Sequence, residues 1–455
     1  MNTDLSIFSR RTTGIVLIVG LLLIFAVHII YMPPLTITVG ASIFLFLAML
    51  FFYKPLWGFL AIIVCRMTAD FFAARFTFTI TENFHLNIAA LFAILLIVTS
   101  GILLVTHWHQ TRHMPLIVPF ALLIFFFAIS YFYSIDKTTS FQETLRVLSI
   151  FAAFGGAYIL TKNIPHARHT TIITIIIAST IPLFFAILQL INGTGMSDNT
   201  GIDGRLFGTF KHPNAFAAFL LILIALLTYR AFTQNDVQKH NKIFTIILLC
   251  LAIILLLLTF SRGGWIALIL FFAILSAMKA PKLLFAVAGI TIVLFFTSHV
   301  IHDRIEEIYN PPADSSIRWR FQQWKNAIAA WQLSPVYGYG AGTEIAIHEQ
   351  EQGFYAGNPY THNDFIKVLQ ETGMIGLALY LFLIVSTIIL LTRKYRATKN
   401  DAKLFILIVL LLFIAEIGFG MSSNIWRSTA IQWLLWTLVA SALTIPKTSH
   451  TLTKT

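Results

Sequence analysis

Three short segments of this 455-residue chain hold residue types suited to phosphoryl oxygens and to a hydroxyl proton. Arg205 lies in Gly-Arg-Leu-Phe-Gly-Thr-Phe-Lys-His-Pro-Asn, residues 204–214, whose Gly, Pro and Asn content predicts an ordered turn just before an apolar run. Arg262 lies in Thr-Phe-Ser-Arg-Gly-Gly-Trp, residues 259–265, a tight connection between two long apolar runs. An ionisable group so close to hydrocarbon is costly and by default marks function. The competing reading is a snorkelling arginine that caps a helix C-terminus. A guanidinium presents paired donors to paired acceptors, so it suits diphosphate oxygens better than an ammonium does. His362, in Tyr-Thr-His-Asn-Asp-Phe, stands a few residues before another apolar run. An imidazole there can take a hydroxyl proton near neutral pH, and local hydrogen bonding at a helix start is the alternative.

Further along the same loop, Ile317, Phe321, Trp324, Ile328 and Trp331 recur at helical spacing and predict an amphipathic helix over about 316–333. Asp314, Ser315 or Ser316 would cap it, and Pro335 follows its end. Its tryptophans suit a membrane interface, which leaves Arg318, Arg320 and Lys325 for headgroups or an anionic ligand. Gly-Tyr-Gly-Ala-Gly-Thr, 338–343, lacks the strand and the Lys-Ser/Thr ending of a phosphate loop and reads as a turn between two surface helices. His107, His109 and His113 cluster without carboxylates, which favours an interfacial loop over a metal site. Arg66 and Asp70, four apart, read as a buried pair on one helix face, with a proton relay as the alternative.

The elements that position these residues are membrane spans. The chain is 58% hydrophobic and 11% charged, where ordinary soluble proteins have roughly 25% charged residues. Cys65 and Cys250 both lie in apolar stretches, so neither a disulfide framework nor a thiolate metal site is expected. Runs long enough to cross a bilayer fall near 14–32, 35–53, 55–74, 86–105, 115–133, 144–160 and 170–192. A second set falls near 214–232, 242–260, 263–278, 281–300, 373–392, 403–421 and 425–445, making fourteen, or twelve if two are re-entrant. With the N-terminus in the cytoplasm, the cytoplasmic loops and tails hold 18 of the 31 basic residues against three acids. The positive-inside rule therefore accounts for the formal charge of +12, and no nucleic-acid partner is needed. The long loops, 193–213 and 301–372, then share the outer face with all three motifs.

The expected fold class is an all-α polytopic membrane protein, with 12–14 transmembrane helices and a large outer-face helical loop. Four regions divide it: a transmembrane bundle over 1–192, a transmembrane region with the outer arginine motifs over 193–300, the helical loop over 301–372, and C-terminal spans with a cytoplasmic tail over 373–455.

Together the segments resemble the O-antigen ligase family, membrane glycosyltransferases that also include O-antigen polymerases and protein O-oligosaccharyltransferases. Three motifs match in order: Arg–x–x–Gly–Thr–Phe…Pro–Asn at 205–214, Ser–Arg–Gly–Gly–Trp at 261–265, and His–Asn–x9–Gly–x–x–Gly from His362 to Gly376. The resemblance implies transfer of a glycan from undecaprenyl diphosphate to an acceptor hydroxyl on the outer face of the bacterial inner membrane. Arg205 and Arg262 would bind the diphosphate and meet the charge growing on the leaving group. His362 would position or deprotonate the acceptor, with Arg318, Arg320, Asn363 and Lys211 as further substrate-binding residues. The expected reaction is a metal-independent, inverting displacement that needs no cofactor. The third motif favours ligation to lipid A-core; polymerisation of lipid-linked repeats and transfer to protein are the alternatives. The competing class is a transporter or lipid flippase built on Arg66, Asp70 and Glu416, which would gather its polar sites at the midplane.

Overall fold

Apolar runs become helices here, and their ends fall where a side chain can replace the missing backbone partner. The structure, a computed structural model, describes residues 9–31, 35–72, 77–81, 84–197, 203–234, 239–279, 316–352 and 360–446, with single positions at 285, 289, 292 and 296. The expected span at 281–300 and the capping residues Asp314 and Ser315 lie outside these stretches.

In chain order the helices are α1 (Arg10–Tyr31), α2 (Leu35–Tyr53), α3 (Pro55–Phe72), α4 (Ile88–Thr106), α5 (Trp108–Thr111), α6 (Ile117–Tyr133) and α7 (Lys137–Asn163). Then follow α8 (Ala167–Ala178), α9 (Thr180–Asn192), α10 (Pro213–Thr233), α11 (Lys239–Leu257) and α12 (Arg262–Met278). The last are α13 (Ser316–Leu333), α14 (Glu344–Gln352), α15 (Asp364–Arg396), α16 (Asn400–Gly420) and α17 (Thr429–Leu443). Among the described residues, eight helical spans are long and apolar enough to cross a membrane, and four shorter apolar helices accompany them. This is an all-α polytopic membrane protein, apart from a two-stranded hairpin (β1, Thr77–Thr81; β2, Phe84–Asn87) that the sequence reading did not anticipate.

Differences from expectation have local causes. The seventh run is two helices because it breaks at Ser179, and Pro182 then sits in the first turn of α9, where its missing N–H costs nothing. The sixth starts earlier because Asp136 caps α7, accepting from the Thr139 N–H at 3.0 Å. The twelfth begins at Asp364 and is interrupted at Gly373, whose backbone is non-helical (φ 62°, ψ −165°).

The core runs along α7, which packs on α17 and α4 and so joins the first and last parts of the chain. Small residues allow the close approach, as in other membrane bundles: a Cβ at Gly156 would stand 2.5 Å from the Ser100 hydroxyl. Trp433 donates to the Ser149 hydroxyl at 3.0 Å across the same seam. Helix α10 is buried on every side from Pro213 to Thr228, whereas α1 turns most of its apolar surface outward. At one end of the bundle lie Arg168 over Phe405 and the Gln110–Asn163 pair. The three motifs meet at the other.

Candidate active site

Arg205 is fixed by its backbone before its side chain acts. It pairs with Met196 as an antiparallel bridge, and Leu206 N–H donates to Leu258 O at 3.2 Å, which lays the 203–212 segment beside the end of α11. Gln189 accepts from both Phe207 N–H and Gly208 N–H and donates back to Gly208 O. The buried guanidinium donates to Thr259 O (3.2 Å) and Asn214 Oδ1 (3.4 Å). Arg262 follows a sharp turn in which Phe260 takes φ 49° and Ser261 caps α12 by accepting from Gly264 N–H. The arginine is the first residue of α12, so it belongs to a helix N-terminus and not to the C-terminal cap weighed from the sequence. Its two glycines are steric necessities: a Cβ at Gly263 would meet the Ser422 hydroxyl at 2.2 Å, and one at Gly264 the Ala217 Cβ at 2.9 Å. Arg320 of α13 completes one side of a small polar cavity that Arg205, Asn214, Arg262 and Ser423 also line. No described carboxylate lies in that lining.

A second cavity, about 430 Å³, adjoins the first. Asn214 and Ser423 line both, joined by a 2.7 Å hydrogen bond, so they form a shared partition. On the far side stand His362, His212, Tyr360, Lys211, Arg427 and the Arg66–Asp70 pair. His212 precedes Pro213 and caps α10 through Nδ1, which accepts from Asn214 N–H at 3.1 Å. In the neutral ring the proton therefore sits on Nε2. Around His362 stand His212, Trp319 and Tyr360, with ring centroids 6.4, 5.8 and 6.5 Å away. Burial first, then the charge of Arg320, His212 and Arg205, holds the His362 imidazole down at about 3. Burial and then Arg205 and Arg320 hold His212 at about 4. Both rings are neutral at physiological pH, so in the free protein His362 accepts a proton more weakly than an ordinary imidazole.

His362 occupies the left-handed region (φ 51°), which an imidazole tolerates only when its neighbours fix it. Thr361 before it gives both its N–H and its hydroxyl to Glu344 Oε1, each at 2.7 Å. The Thr361 carbonyl accepts from the Trp324 indole at 2.7 Å. Asn363 after it caps α15, its Oδ1 accepting from Phe365 and Ile366 N–H. Asp364 Oδ2 accepts from Trp426 N–H at 2.8 Å.

Beneath this segment lies a buried ion network absent from the sequence reading. Lys367 reaches Glu371 (2.7 Å) and Glu143 (3.2 Å). Arg146 holds Glu143 from the other side and donates to Trp426 O. Glu371 also accepts from Gly342 N–H and Glu344 N–H. The 338–343 segment is thus a buried turn between α13 and α14 clasped around Glu371, and Gly338, Gly340 and Gly342 all take positive φ. The His–Asn–x9–Gly–x–x–Gly spacing gains a physical reading: cap at Asn363, two and a half helical turns carrying Lys367 and Glu371, and then a break at Gly373. The 335–337 segment docks into that break, with Met374 N–H donating to Pro335 O, and a Cβ at Gly373 would stand 2.3 Å from Val336 O.

Of the residues singled out beforehand, Arg205, Arg262 and Arg320 share the small cavity, while Lys211 and His362 line the large one. Arg318 is exposed on α13 and lines neither. The Asn363 oxygen is committed to its cap. The α13 stripe is not the buried face of its helix: Gln323, Ala327 and Ala330 are buried, while Phe321 and Ile328 of the stripe are exposed. Arg66 and Asp70 do pair, at 3.0 Å, but Arg66 also donates to Thr429 and the pair faces the large cavity. His212, Tyr360 and Arg427 were missed. Arg427 had a legible signal, since the expected topology sets it beside an outer loop, where the positive-inside rule disfavours an arginine just as it does Arg205 and Arg262.

A family model described as O-antigen ligase matches residues 246–381, a stretch holding the Arg262 turn, α13 and His362. An uncharacterised protein of Haemophilus influenzae is 21% identical over 210 residues, which cover 41% of this chain and 53% of that protein. The chain spans about half the length of that relative. The family match supports the resemblance that the motifs carry.

Proposed function

We propose that this membrane protein of the O-antigen ligase family moves a glycan from undecaprenyl diphosphate to an acceptor hydroxyl, with Arg205, Arg262 and Arg320 on the diphosphate and His362 on the acceptor. The observation that carries this reading is the pair of adjoining cavities. One is lined by three guanidinium groups, the other by His362, and Asn214 and Ser423, hydrogen-bonded to each other, line both. A glycosyl carbon placed at that partition has its leaving group on one side and its nucleophile on the other.

The acceptor oxygen forms its bond to the sugar carbon as the bond from that carbon to the phosphate oxygen breaks. The electron pair leaves with undecaprenyl diphosphate, and the hydroxyl proton passes to His362. Preorganised donors aimed at the developing charge are worth most where water is excluded, and the guanidinium groups supply positive charge that a divalent ion would otherwise bring. In-line displacement from opposite sides inverts the sugar carbon. Donor binding also tunes the base. The diphosphate charge offsets the arginines that depress His362, so its proton affinity rises when a glycan is in place to be transferred. The site then faces the periplasm of the inner membrane, as the charge distribution of the loops supports.

For the acceptor, the reading is ligation to lipid A-core. The His–Asn–x9–Gly–x–x–Gly run that suggested it is explained by the cap and the break of α15, so it supports the architecture more than the acceptor. The test is transfer by purified protein from undecaprenyl-diphosphate glycan, with EDTA present, offering lipid A-core or no acceptor. A lengthened lipid A-core is the expected product. Chain-lengthened donor in the tube without acceptor would make the protein a polymerase, and no product in either tube with folded protein would sink the glycan-acceptor reading. Product that vanishes only with EDTA would sink metal independence.

A further inference from the structure

The large cavity carries more positive charge than the reaction above uses. Arg66 is neutralised by Asp70, but Lys211 and Arg427 make no ion pair among the described residues. Arg427 is stacked over the Tyr360 ring at 4.4 Å. Stacking uses the face of a guanidinium and leaves its in-plane N–H groups to donate, so the residue is oriented without being occupied. Lys211 stands at the exposed rim. On the same wall, Asn424 Oδ1 is buried with no hydrogen-bond partner among the described residues. A buried amide oxygen without a donor is costly, and a hydroxyl arriving in the cavity would satisfy it. Two cations and one waiting acceptor beside His362 fit a ligand with both an anionic group and hydroxyls.

We propose that this cavity is the acceptor subsite and that it selects an acceptor sugar bearing an anionic substituent, phosphate or carboxylate. Arg427 grips that substituent, Lys211 assists from the rim, and Asn424 takes a sugar hydroxyl. The assignment rests on the transferase reading. The diphosphate of the donor already meets three arginines across the Asn214–Ser423 partition, so a second positive pole on the His362 side serves a different charged group. The cavity volume, about 430 Å³, suits one or two sugar rings.

The experiment uses the full chain in lipid nanodiscs with three matched soluble glycosides: neutral, phosphorylated and carboxylated. Binding of each is measured by calorimetry without donor, and kcat/KM for transfer is measured with undecaprenyl-diphosphate glycan. The expected result is a preference of about 10-fold or more for an anionic glycoside over the neutral one, since hydrogen bonds to a charged group are stronger than neutral ones. The preference shrinks with added salt. Arg427→Gln brings the ratio close to one, and Lys211→Gln, a change at an exposed residue, lowers it by about 3-fold. The stronger of the two charged ligands tells phosphate from carboxylate. Equal binding of all three glycosides by the unsubstituted protein overturns the proposal, as does a ratio that survives both substitutions. A raised donor KM with an unchanged acceptor ratio would hand the cavity to the donor glycan and overturn it too. Selective binding without transfer to any glycoside would sink the transferase reading and leave the anionic subsite standing.

Discussion

Two charged regions of this protein are joined by one strip of chain, and they are built on different plans. In the network of Glu143, Arg146, Lys367 and Glu371, two acids face two bases and each charge has a partner within 3.2 Å or closer. In the neighbouring cavity, Arg205, Arg262 and Arg320 share a lining in which no described carboxylate appears. The first region is complete as it stands. The second gathers three guanidinium groups on the wall of one small polar cavity. Composition sets the two apart: one holds charges of both signs in contact, and the other lines a cavity with charges of one sign among the described residues. The separation is physical because the regions share a strip of chain: Thr361 to Glu371 carries His362 at one end and half of the network at the other.

The largest effect should come from breaking the balanced region. Lys367→Met leaves Glu143 and Glu371 facing each other without their shared cation, and removing one partner of a buried pair costs about 3–5 kcal/mol. The melting temperature in detergent should fall steeply, and activity should be lost with the fold. Arg262→Lys should do the reverse. The lysine keeps the charge but not the paired donors, so melting should hardly move while transfer falls by about 10²–10³-fold, the usual loss for one oxyanion donor. An Arg262→Lys protein that melts early, or a Lys367→Met protein that melts normally, would erase the distinction between the regions.

A third expectation concerns pH. With burial and the arginine charges holding His362 at about 3, its proton-accepting form exists in the free protein at any pH above that value. The acid limb of kcat/KM, which reports free enzyme, should therefore fall only toward pH 3–4 and stay flat through 6.5. The limb of kcat reports the donor-bound state, where the diphosphate opposes the arginine field, and should lie at higher pH. Profiles recorded side by side decide it: limbs that coincide near 6.5 would show that neither burial nor the cations hold His362 down.

The same contrast explains what the sequence made legible. Helices were readable because hydrocarbon demands long apolar runs, and the outward arginines because the positive-inside rule makes them conspicuous. The balanced network was invisible. Glu143 and Arg146 sit in α7 more than 200 positions from Lys367, and nothing local distinguishes them from the polar end of an ordinary span. His212 hid in plain view inside a quoted motif, because its capping role needs the Pro213 turn to be seen in place. The β hairpin lies between two expected spans, and its last residues, Leu86 and Asn87, read as the start of the second. The glycines of the third motif were matched by count, whereas their reason, the docking of 335–337 into the break at Gly373, is a tertiary contact.

The smallest effect should come from the joint between the regions, Glu344. Its backbone N–H donates to Glu371 at 3.2 Å, and its carboxylate takes both donors of Thr361 at 2.7 Å, so it transmits the position of the network to His362. Glu344→Gln keeps the shape and one acceptor oxygen but exchanges charge-assisted bonds for neutral ones, a difference of about 1 kcal/mol. Because Thr361 touches neither the diphosphate cavity nor its arginines, the loss should appear in kcat, about 5-fold to 10-fold, with donor KM unmoved. Thr361→Val, which removes the hydroxyl and keeps the N–H, should give a smaller loss of the same kind. If donor KM rose in either variant, Glu344 would be holding the wall common to both cavities, and the two regions would be one.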